Sequence, residues 1–559
     1  MSVPDPQDSQ GVSDPQAASD PETSDPQAWI AADPDPRTRA ELRALTPDEL
    51  TERFSHTLHF GTAGLRGPVR AGPSGMNVAV IVRTTVALGR WLIDGGHAGS
   101  RVVVGRDARH GSADFADACA EVLAAQGFDV VRLPGTTPTP LIAFCCRDLG
   151  ASAAVAVTAS HNPPADNGYK VFVSGGAQLI PPDDTQIERL IATAAPANTV
   201  PRTTVSADDP WAAANTERYL TRLTNRFGRV PRSPVRIALT AMHGVGGALA
   251  LTALRRAGFT DVEVVPEQFA PDPDFPTVRF PNPEEPGASD RLLALAADVD
   301  ADLAIALDPD ADRCALGARI GGSWRMLTGD ETGALLGRHL LAATDLDAPV
   351  VAGTIVSGSL LQAVAEATGA RYARTLTGFK WLVRAGEPLL YAYEEAIGHC
   401  VDPVAVRDKD GISASVVAAL LTHERVSAGS DLATALHELF VEHGVHVTTQ
   451  HSIRVTDLDR IADIMAGLRT HPPTTLAGIS VTSVDYATRQ DHLNTNAVEL
   501  SGAANDPETS VRVMVRPSGT EPKLKYYLEL VAEPRESDVA ATSARLHALA
   551  ANVIADLPR

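Results

Sequence analysis

The sequence predicts an α/β protein of three similar domains with mixed sheets, followed by a smaller C-terminal α+β domain, all arranged around one central cleft. Two observations carry this prediction. Apolar strand-like runs alternate with helical segments in three successive β-α-β-α-β units, and each unit ends in a polar loop. After about Glu442 the pattern changes to a shorter strand and helix set. With 559 residues, 44% of them hydrophobic, the chain can bury several cores and should divide into roughly three to five domains.

In the first unit, strands are predicted over Arg101 to Val104, Phe128 to Val131 and Ala153 to Val157, with helices over about Ala113 to Gln126 and Leu141 to Leu149. The second has strands from Val235 to Leu239, Val262 to Val265 and Asp302 to Leu307, a glycine-rich helix start at Gly244 to Gly247, and a helix near Asp290 to Ala297. The third begins near Val350, with a helix over about Ser359 to Thr368, a strand from Arg371 to Arg374, a helix from about Gly378 and a strand from Leu389 to Tyr393. Because ligands of α/β sheets bind beyond the carboxyl ends of the strands, the three terminal loops can face one cleft. Breaks are expected in the Pro/Thr-rich stretch 195–210 and at the turn-rich Gly321 to Ser323. The expected segments are an acidic disordered tail over 1–35, then domains over 36–205, 206–323, 324–441 and 442–559.

Composition excludes several roles. A net charge of −21 without any dense Lys/Arg run argues against a nucleic-acid partner. The N-terminal tail has no apolar core for a signal peptide, and charged residues interrupt every apolar run, so no membrane partner is expected. Five cysteines without CxxC spacing read as reduced thiols, pointing to a cytoplasmic protein. Only five of the 48 basic residues are lysines, Lys170, Lys380, Lys409, Lys523 and Lys525, and all fall in or near loops selected on other grounds. This favours a specific role for the compact ammonium of Lys170 and leaves Lys409 and Lys525 open.

Two loops supply a nucleophile and a cation site. Thr158-Ala-Ser160-His161-Asn162-Pro163 and Asp308-Pro-Asp310-Ala-Asp312-Arg313 each follow an apolar run directly. A hydroxyl in one exposed loop and three alternating carboxylates in another suit phosphoryl transfer through a covalent enzyme intermediate. Ser160 is the candidate nucleophile, with His161 and Lys170 as nearby bases, and Asp308, Asp310 and Asp312 best suit Mg²⁺. No glycine and distal glutamate complete an EF-hand, and no Gly-Lys-Ser/Thr completes a P-loop around Gly61-Thr-Ala-Gly-Leu-Arg66-Gly67. Arg313, directly after the carboxylates, can bind phosphate or pair with an aspartate, and phosphate contact is favoured. Glu394 and Glu395, beside Gly398-His399, suit sugar hydroxyls, and Arg516, Ser518, Gly519, Thr520 and Lys523 form an oxyanion cradle.

Five motifs in order, Gly-Thr-Ala-Gly-Leu-Arg-Gly, Thr-Ala-Ser-His-Asn-Pro, Asp-Pro-Asp-Ala-Asp-Arg, Glu-Glu-Ala-Ile-Gly-His and Arg-Pro-Ser-Gly-Thr-Glu-Pro, resemble the α-D-phosphohexomutase superfamily of phosphoglucomutases and phosphomannomutases over about Leu58 to Val531. Thr375-Leu-Thr-Gly-Phe-Lys380-Trp381 further resembles the branch with phosphopentomutases and glucose-1,6-bisphosphate synthases. The resemblance implies a phosphoserine at Ser160, Mg²⁺ held by its phosphate with Asp308, Asp310 and Asp312, and Lys170 with His161 moving protons. Arg66 and Arg313 would steady the phosphoserine. Gly378, Phe379 and Lys380 would read sugar orientation, Glu394 and Glu395 its hydroxyls, and the Arg516 loop the non-reacting phosphate.

It implies a mutase interconverting sugar 1-phosphates with 6- or 5-phosphates, glucose or mannose foremost, activated by glucose 1,6-bisphosphate or an analogous sugar bisphosphate. The alternatives are a phosphopentomutase or a glucose-1,6-bisphosphate synthase. A monomer or homodimer acting on small sugar phosphates is expected. Pro309 and Ala311 stand where many relatives have glycine. Phe379 replaces a histidine of some bacterial phosphomannomutases, leaving His399 as a weaker substitute.

Overall fold

The computed structural model describes residues 25–206, 208–455, 459–504, 509–518, 523–533 and 538–558. The first sheet comprises β1 (Leu65–Pro68), β2 (Arg101–Arg106), β3 (Asp129–Arg132), β4 (Ala153–Val157), β5 (Asp166–Val173) and β6 (Ala177–Gln178). Its main path runs β1-β5-β4-β2-β3, with β2 parallel to β3 and β4 and with β5 antiparallel to β4. Helices cover both faces, so β4 is buried at every position. Successive side chains of β2 serve opposite cores. Val102 and Val104 join the cluster that contains helices Val78–Asp94 and Ser112–Ala125, whereas Val103 joins the one that contains helix Thr139–Asp148.

The second sheet contains β7 (Arg236–Thr240), β8 (Asp261–Val264), β9 (Leu303–Leu307), β10 (Cys314–Ile320) and β11 (Ser323–Met326), and the third contains β12 (Val350–Thr354), β13 (Arg371–Thr375), β14 (Leu389–Glu394) and β15 (Gly398–Cys400). Their paths, β10-β9-β7-β8 and β15-β14-β12-β13, repeat β5-β4-β2-β3 strand for strand. In each, the third strand is parallel to the first and hands over to an antiparallel fourth. The loop at that handover carries Ser160 in the first sheet, Asp308 in the second and Glu395 in the third. The repetition invisible in the letters is thus a topological one.

The last domain is an antiparallel sheet of β16 (Val445–Arg454), β19 (Thr482–Asp485), β20 (Val498–Ala503), β21 (Thr509–Pro517) and β22 (Lys523–Ala532), in the order β16-β22-β21-β20-β19. A small hairpin of β17 (Thr475–Leu476) and β18 (Ile479–Ser480) lies beside it, and helix Val539–Asp556 packs on β16 and β22.

Two sequence expectations are corrected. The described end of the expected tail is ordered: Asp25 and Asp35 cap helices Pro26–Ala32 and Pro36–Ala44, each with proline in the first turn. Trp29 and Ile30 are buried in the first domain's core, Trp29 edge-on to Phe54 at 6.3 Å. The Asp-Pro repeats that signal disorder by composition act here as helix starts. Residues 1–24 lie outside the described residues. The expected break at Gly321 to Ser323 moves to just after Met326, where the second sheet ends. Gly321 and Gly322, both at positive φ, turn the β10–β11 hairpin inside the second sheet.

One element crosses the sequence divisions. Helix Gly411–Ser427, which follows the third sheet in the chain, packs on β9 and β10 of the second. Its first turn sits under the acidic loop, where a Cβ on Gly411 would lie 2.2 Å from Arg313 O. Only glycine allows that approach.

Candidate active site

The handover loops of the first two sheets meet. Ser160 Oγ donates to Asp308 Oδ2 at 2.8 Å and lies 3.2 Å from His161 Nδ1. Ser160 adopts a left-handed backbone, φ 52, and its N–H is taken by Thr158 Oγ1 at 2.9 Å. A non-glycine residue held there stores strain that its surroundings must compensate. Both loops are corrected from exposed to buried: Ser160 and the three aspartates are almost fully enclosed.

Asp308, Asp310 and Asp312 each place a carboxylate oxygen within 4.8 Å of the others. Ala311 makes this possible by adopting φ 56, letting alternate side chains converge, and its own N–H bonds Asp308 O at 2.9 Å. The first domain grips the loop as well: Thr139 donates its N–H to Asp310 O and its hydroxyl to Asp310 Oδ2, at 2.9 and 2.6 Å. Asp310 Oδ1 and Asp312 Oδ1 are buried without a hydrogen-bond partner. Orphaned carboxylate oxygens and an all-oxygen donor set fit a hard divalent cation. Burial, then Asp310 and Asp312 beside it, push the Asp308 carboxyl well above its ordinary value.

Asp312 behaves oppositely. Burial would raise it, but Lys409, Lys170 and Arg313 override that and hold it well below the carboxylate range. Lys170 Nζ bridges Asp312 Oδ2 at 3.1 Å and Asp408 Oδ2 at 2.8 Å, while Lys409 Nζ reaches Asp312 Oδ2 at 3.1 Å. Two ammoniums and two carboxylates from three domains form one buried cluster. Gln178 completes it with two bonds to Asp408, at 2.9 and 2.8 Å. His161 is depressed well below its usual range by burial and then by Arg313 and Arg66, so it is a neutral imidazole beside the serine.

Arg66 lies 3.5 Å from Asn162 Oδ1. Arg313 donates from Nη1 to Ala396 O at 2.8 Å, and its buried Nε has no hydrogen-bond partner, though it lies 3.8 Å from Asp312. Arg313 therefore ties the acidic loop to the third domain's handover loop and keeps one N–H uncommitted. Glu395 Oε2 accepts from Thr354 and Ser357 at 3.2 and 3.1 Å, and burial, then Glu394 and Asp330, push it up to about 7. Glu395 borders a recess of about 400 Å³ between the second, third and last domains.

Lys380 Nζ reaches Thr62 Oγ1 in the Gly61 to Gly67 segment, and Arg516 Nη1 donates to Thr377 Oγ1 at 2.5 Å. The segment around Gly378, at φ 109, is thus held from both the first and the last domain. Ser518 N–H bonds Lys523 O at 2.8 Å across the mouth of the cradle loop, whereas Gly519 and Thr520 lie outside the described residues. Arg512, which sequence reasoning missed, anchors that domain through Ile355 O at 2.8 Å and Ser357 O at 2.5 Å.

Two candidates lie elsewhere than expected. His399 is fully buried, with Nδ1 2.8 Å from Tyr391 Oη, and burial pushes it down to about 3. It is a core imidazole of the third domain, not an acid/base substitute. Phe379 is also buried, its ring centre 5.3 Å from Lys409 Nζ, so it supports the lysine cluster. Asp408 and Arg109 were missed because each sits in an ordinary polar turn. For Lys409, the scarcity of lysine was the one available signal.

Comparison with known proteins adds a second line of information. The alpha/beta/alpha domains I, II and III of the phosphoglucomutase/phosphomannomutase family match residues 57–198, 217–321 and 328–441. A Haemophilus influenzae protein named probable phosphomannomutase is 38% identical over 474 residues, 83% of this chain and 95% of its own length. A mouse phosphopentomutase is 33% identical over 562 residues, 91% of this chain and 90% of its own. Among solved structures, a Burkholderia thailandensis phosphoglucomutase/phosphomannomutase family protein superposes with a TM-score of 0.65 at 19% identity, covering 89% of this chain and 98% of its own, a likeness of fold.

Proposed function

Because the chain belongs to the phosphoglucomutase/phosphomannomutase family of the α-D-phosphohexomutase superfamily and is a phosphosugar mutase, we propose that Ser160 carries the phosphate it transfers. The observation that carries this reading is Ser160 Oγ at 2.8 Å from Asp308 Oδ2, in strained backbone beside two orphaned carboxylate oxygens. A sugar hydroxyl attacks the phosphorus, the P–Oγ bond breaks, and the sugar bisphosphate turns in the cleft to return its other phosphate to Ser160. His161, being neutral, takes the proton of the attacking hydroxyl, and Lys170, held as an ammonium between Asp312 and Asp408, gives one to Ser160 Oγ as the P–Oγ bond breaks. Arg66 and Arg313 face the transferring phosphate, and the uncommitted N–H of Arg313 suits an anionic oxygen. Asp308, Asp310 and Asp312 would hold Mg²⁺, which when bound would neutralise charge on the phosphate oxygens. The Arg516 cradle holds the non-reacting phosphate while Glu394, Glu395 and Lys380 contact the sugar.

The reading favours hexose phosphates, glucose or mannose, with glucose 1,6-bisphosphate as the priming activator. A pentose phosphate is the second reading, supported by the likeness to phosphopentomutase over nine-tenths of the chain. The test is to incubate the protein with Mg²⁺, a trace of glucose 1,6-bisphosphate, and glucose 1-phosphate, mannose 1-phosphate or ribose 1-phosphate separately, followed by phosphorus NMR. Balanced conversion to the 6- or 5-phosphate is expected and ranks the sugars. Release of free phosphate or build-up of bisphosphate without isomerisation would replace the mutase reading with a phosphatase or a synthase.

A further inference from the structure

The loop that presents Ser160 is held from beneath by a single side chain. Arg109 Nη2 donates to Ser160 O at 2.6 Å and Asn162 O at 2.7 Å, and Nη1 donates to Pro163 O at 2.8 Å and Asp166 O at 3.1 Å. Its Nε lies 3.4 Å from Asp107 Oδ2, and Asp107 Oδ1 takes the Arg109 N–H at 2.9 Å and the Ser112 hydroxyl at 2.6 Å. Both terminal nitrogens of the guanidinium are therefore committed to shaping one turn, while Nε makes no hydrogen bond. Lysine cannot span four carbonyls from one plane.

The flat face of that guanidinium is covered from another domain. The Phe275 ring centre lies 4.9 Å from Arg109 Cζ, and Phe275 is 3% exposed. Phe275 belongs to the loop after helix Pro266–Phe269 of the second domain and is itself in left-handed backbone, φ 46. Its neighbours fix it: Asp272 O accepts its N–H at 3.2 Å, His243 packs edge-on at 6.4 Å, and Asp274 Oδ1 lies 2.7 Å from His110 Nε2 of the first domain. A strained aromatic stacked on a buried cation is a costly arrangement to keep unless its geometry is used. The second domain thus meets the nucleophile twice, through Asp308 on its oxygen and through Phe275 on the clamp below.

We infer that Arg109 is a positioning residue for Ser160 and that Phe275 locks it, so that presentation of the phosphate-carrying oxygen depends on docking of the second domain against the first. The inference rests on Ser160 being the phosphate carrier. It couples two events: the domain contact that brings the carboxylates to Ser160 also sets the backbone from which Oγ projects.

The test uses the full chain, with radiolabelled glucose 1,6-bisphosphate as phosphate donor and hydrogen exchange as a second readout. Phe275→Leu keeps an apolar side chain but removes the ring. Label transfer to Ser160 should fall at least ~10-fold, as misplacement of a reacting atom by a fraction of an ångström implies, with KM for the sugar monophosphate unchanged. The Asn162 and Asp166 amides, bonded to Ala159 O and Pro163 O at 3.1 and 3.0 Å, should exchange faster while the rest of the first domain does not. Arg109→Lys should act in the same direction and more strongly. Wild-type transfer and exchange in Phe275→Leu would overturn the inference, as would a raised KM with transfer unchanged. Should Phe275→Leu loosen both domains throughout, Asp274→Ala decides: its side chain is 74% exposed and touches no core, so a smaller loss of transfer supports the lock and wild-type transfer overturns it. A wild-type protein that never acquires label at Ser160 removes the premise instead, which separates the two failures.

Discussion

Lys170 and Asp312 stand 142 positions apart, come from different domains, and meet at 3.1 Å with both side chains almost fully buried. Neither is stable there alone. Asp408 and Lys409 from the third domain close the charge balance, so the cluster is also a joint between three domains.

Removing one member should therefore cost more than a surface ion pair would. Asp408→Ala leaves two buried ammoniums facing one carboxylate, and the expected loss is about 3–5 kcal/mol of stability. Urea unfolding followed by fluorescence measures it. A change below ~1 kcal/mol, the range of exposed pairs, contradicts the reading.

Asp310 Oδ1 is a buried oxygen with no protein partner, available to a cation. Asp310→Asn should weaken binding of Mn²⁺, used as a spectroscopic substitute for Mg²⁺, by at least ~10-fold while the fold is kept, since even supporting residues of a metal site carry that much. Titration by electron paramagnetic resonance reads affinity without reference to turnover.

Glu395 gives a pH dependence of definite sign. Burial, Glu394 and Asp330 raise its carboxyl from 4.5 to about 7. The folded value lies above the unfolded one, so this contribution to stability is full below about pH 4.5 and is lost as pH rises through about 7. Urea midpoints from pH 4.5 to 8 should fall less steeply in Glu395→Gln than in the wild type; parallel curves contradict the assignment.

Trp29 belongs to the first domain's core, not to a dispensable tail. Trp29→Ala should destabilise that domain by about 3–5 kcal/mol, the range for deleting a buried large aromatic. Thermal unfolding of the variant measures it, and an unchanged midpoint would return residues 25–35 to the tail.

The handover loops were legible in the sequence because each pairs an uninterrupted apolar strand with an abrupt polar turn, as at Val155 to Ser160 and Leu303 to Asp308. Periodicity also gave the β-α-β-α-β units, whose local signals need no distant partner. What escaped were residues whose meaning depends on a neighbour from elsewhere. Arg109 reads as a turn arginine, Asp408 as a solvated acid, and Phe275 as one apolar residue in a proline-rich loop. His399 erred in the other direction, since its place beside two glutamates gave no sign that the strand turns its ring inward against Tyr391.

By itself, then, the sequence determined the residue types of the chemistry, their order, and the apolar strands that end in them, because those are set by local pattern and strand burial. Only the tertiary structure decided that Ser160 would meet Asp308 rather than solvent, that Lys170 would share Asp312 with Lys409, and that Phe275 would cover Arg109. Those contacts join positions 97 or more residues apart. They exist because three sheets of the same strand order turn their handover loops toward one cleft, and enclosure there makes each buried charge require a partner from another domain.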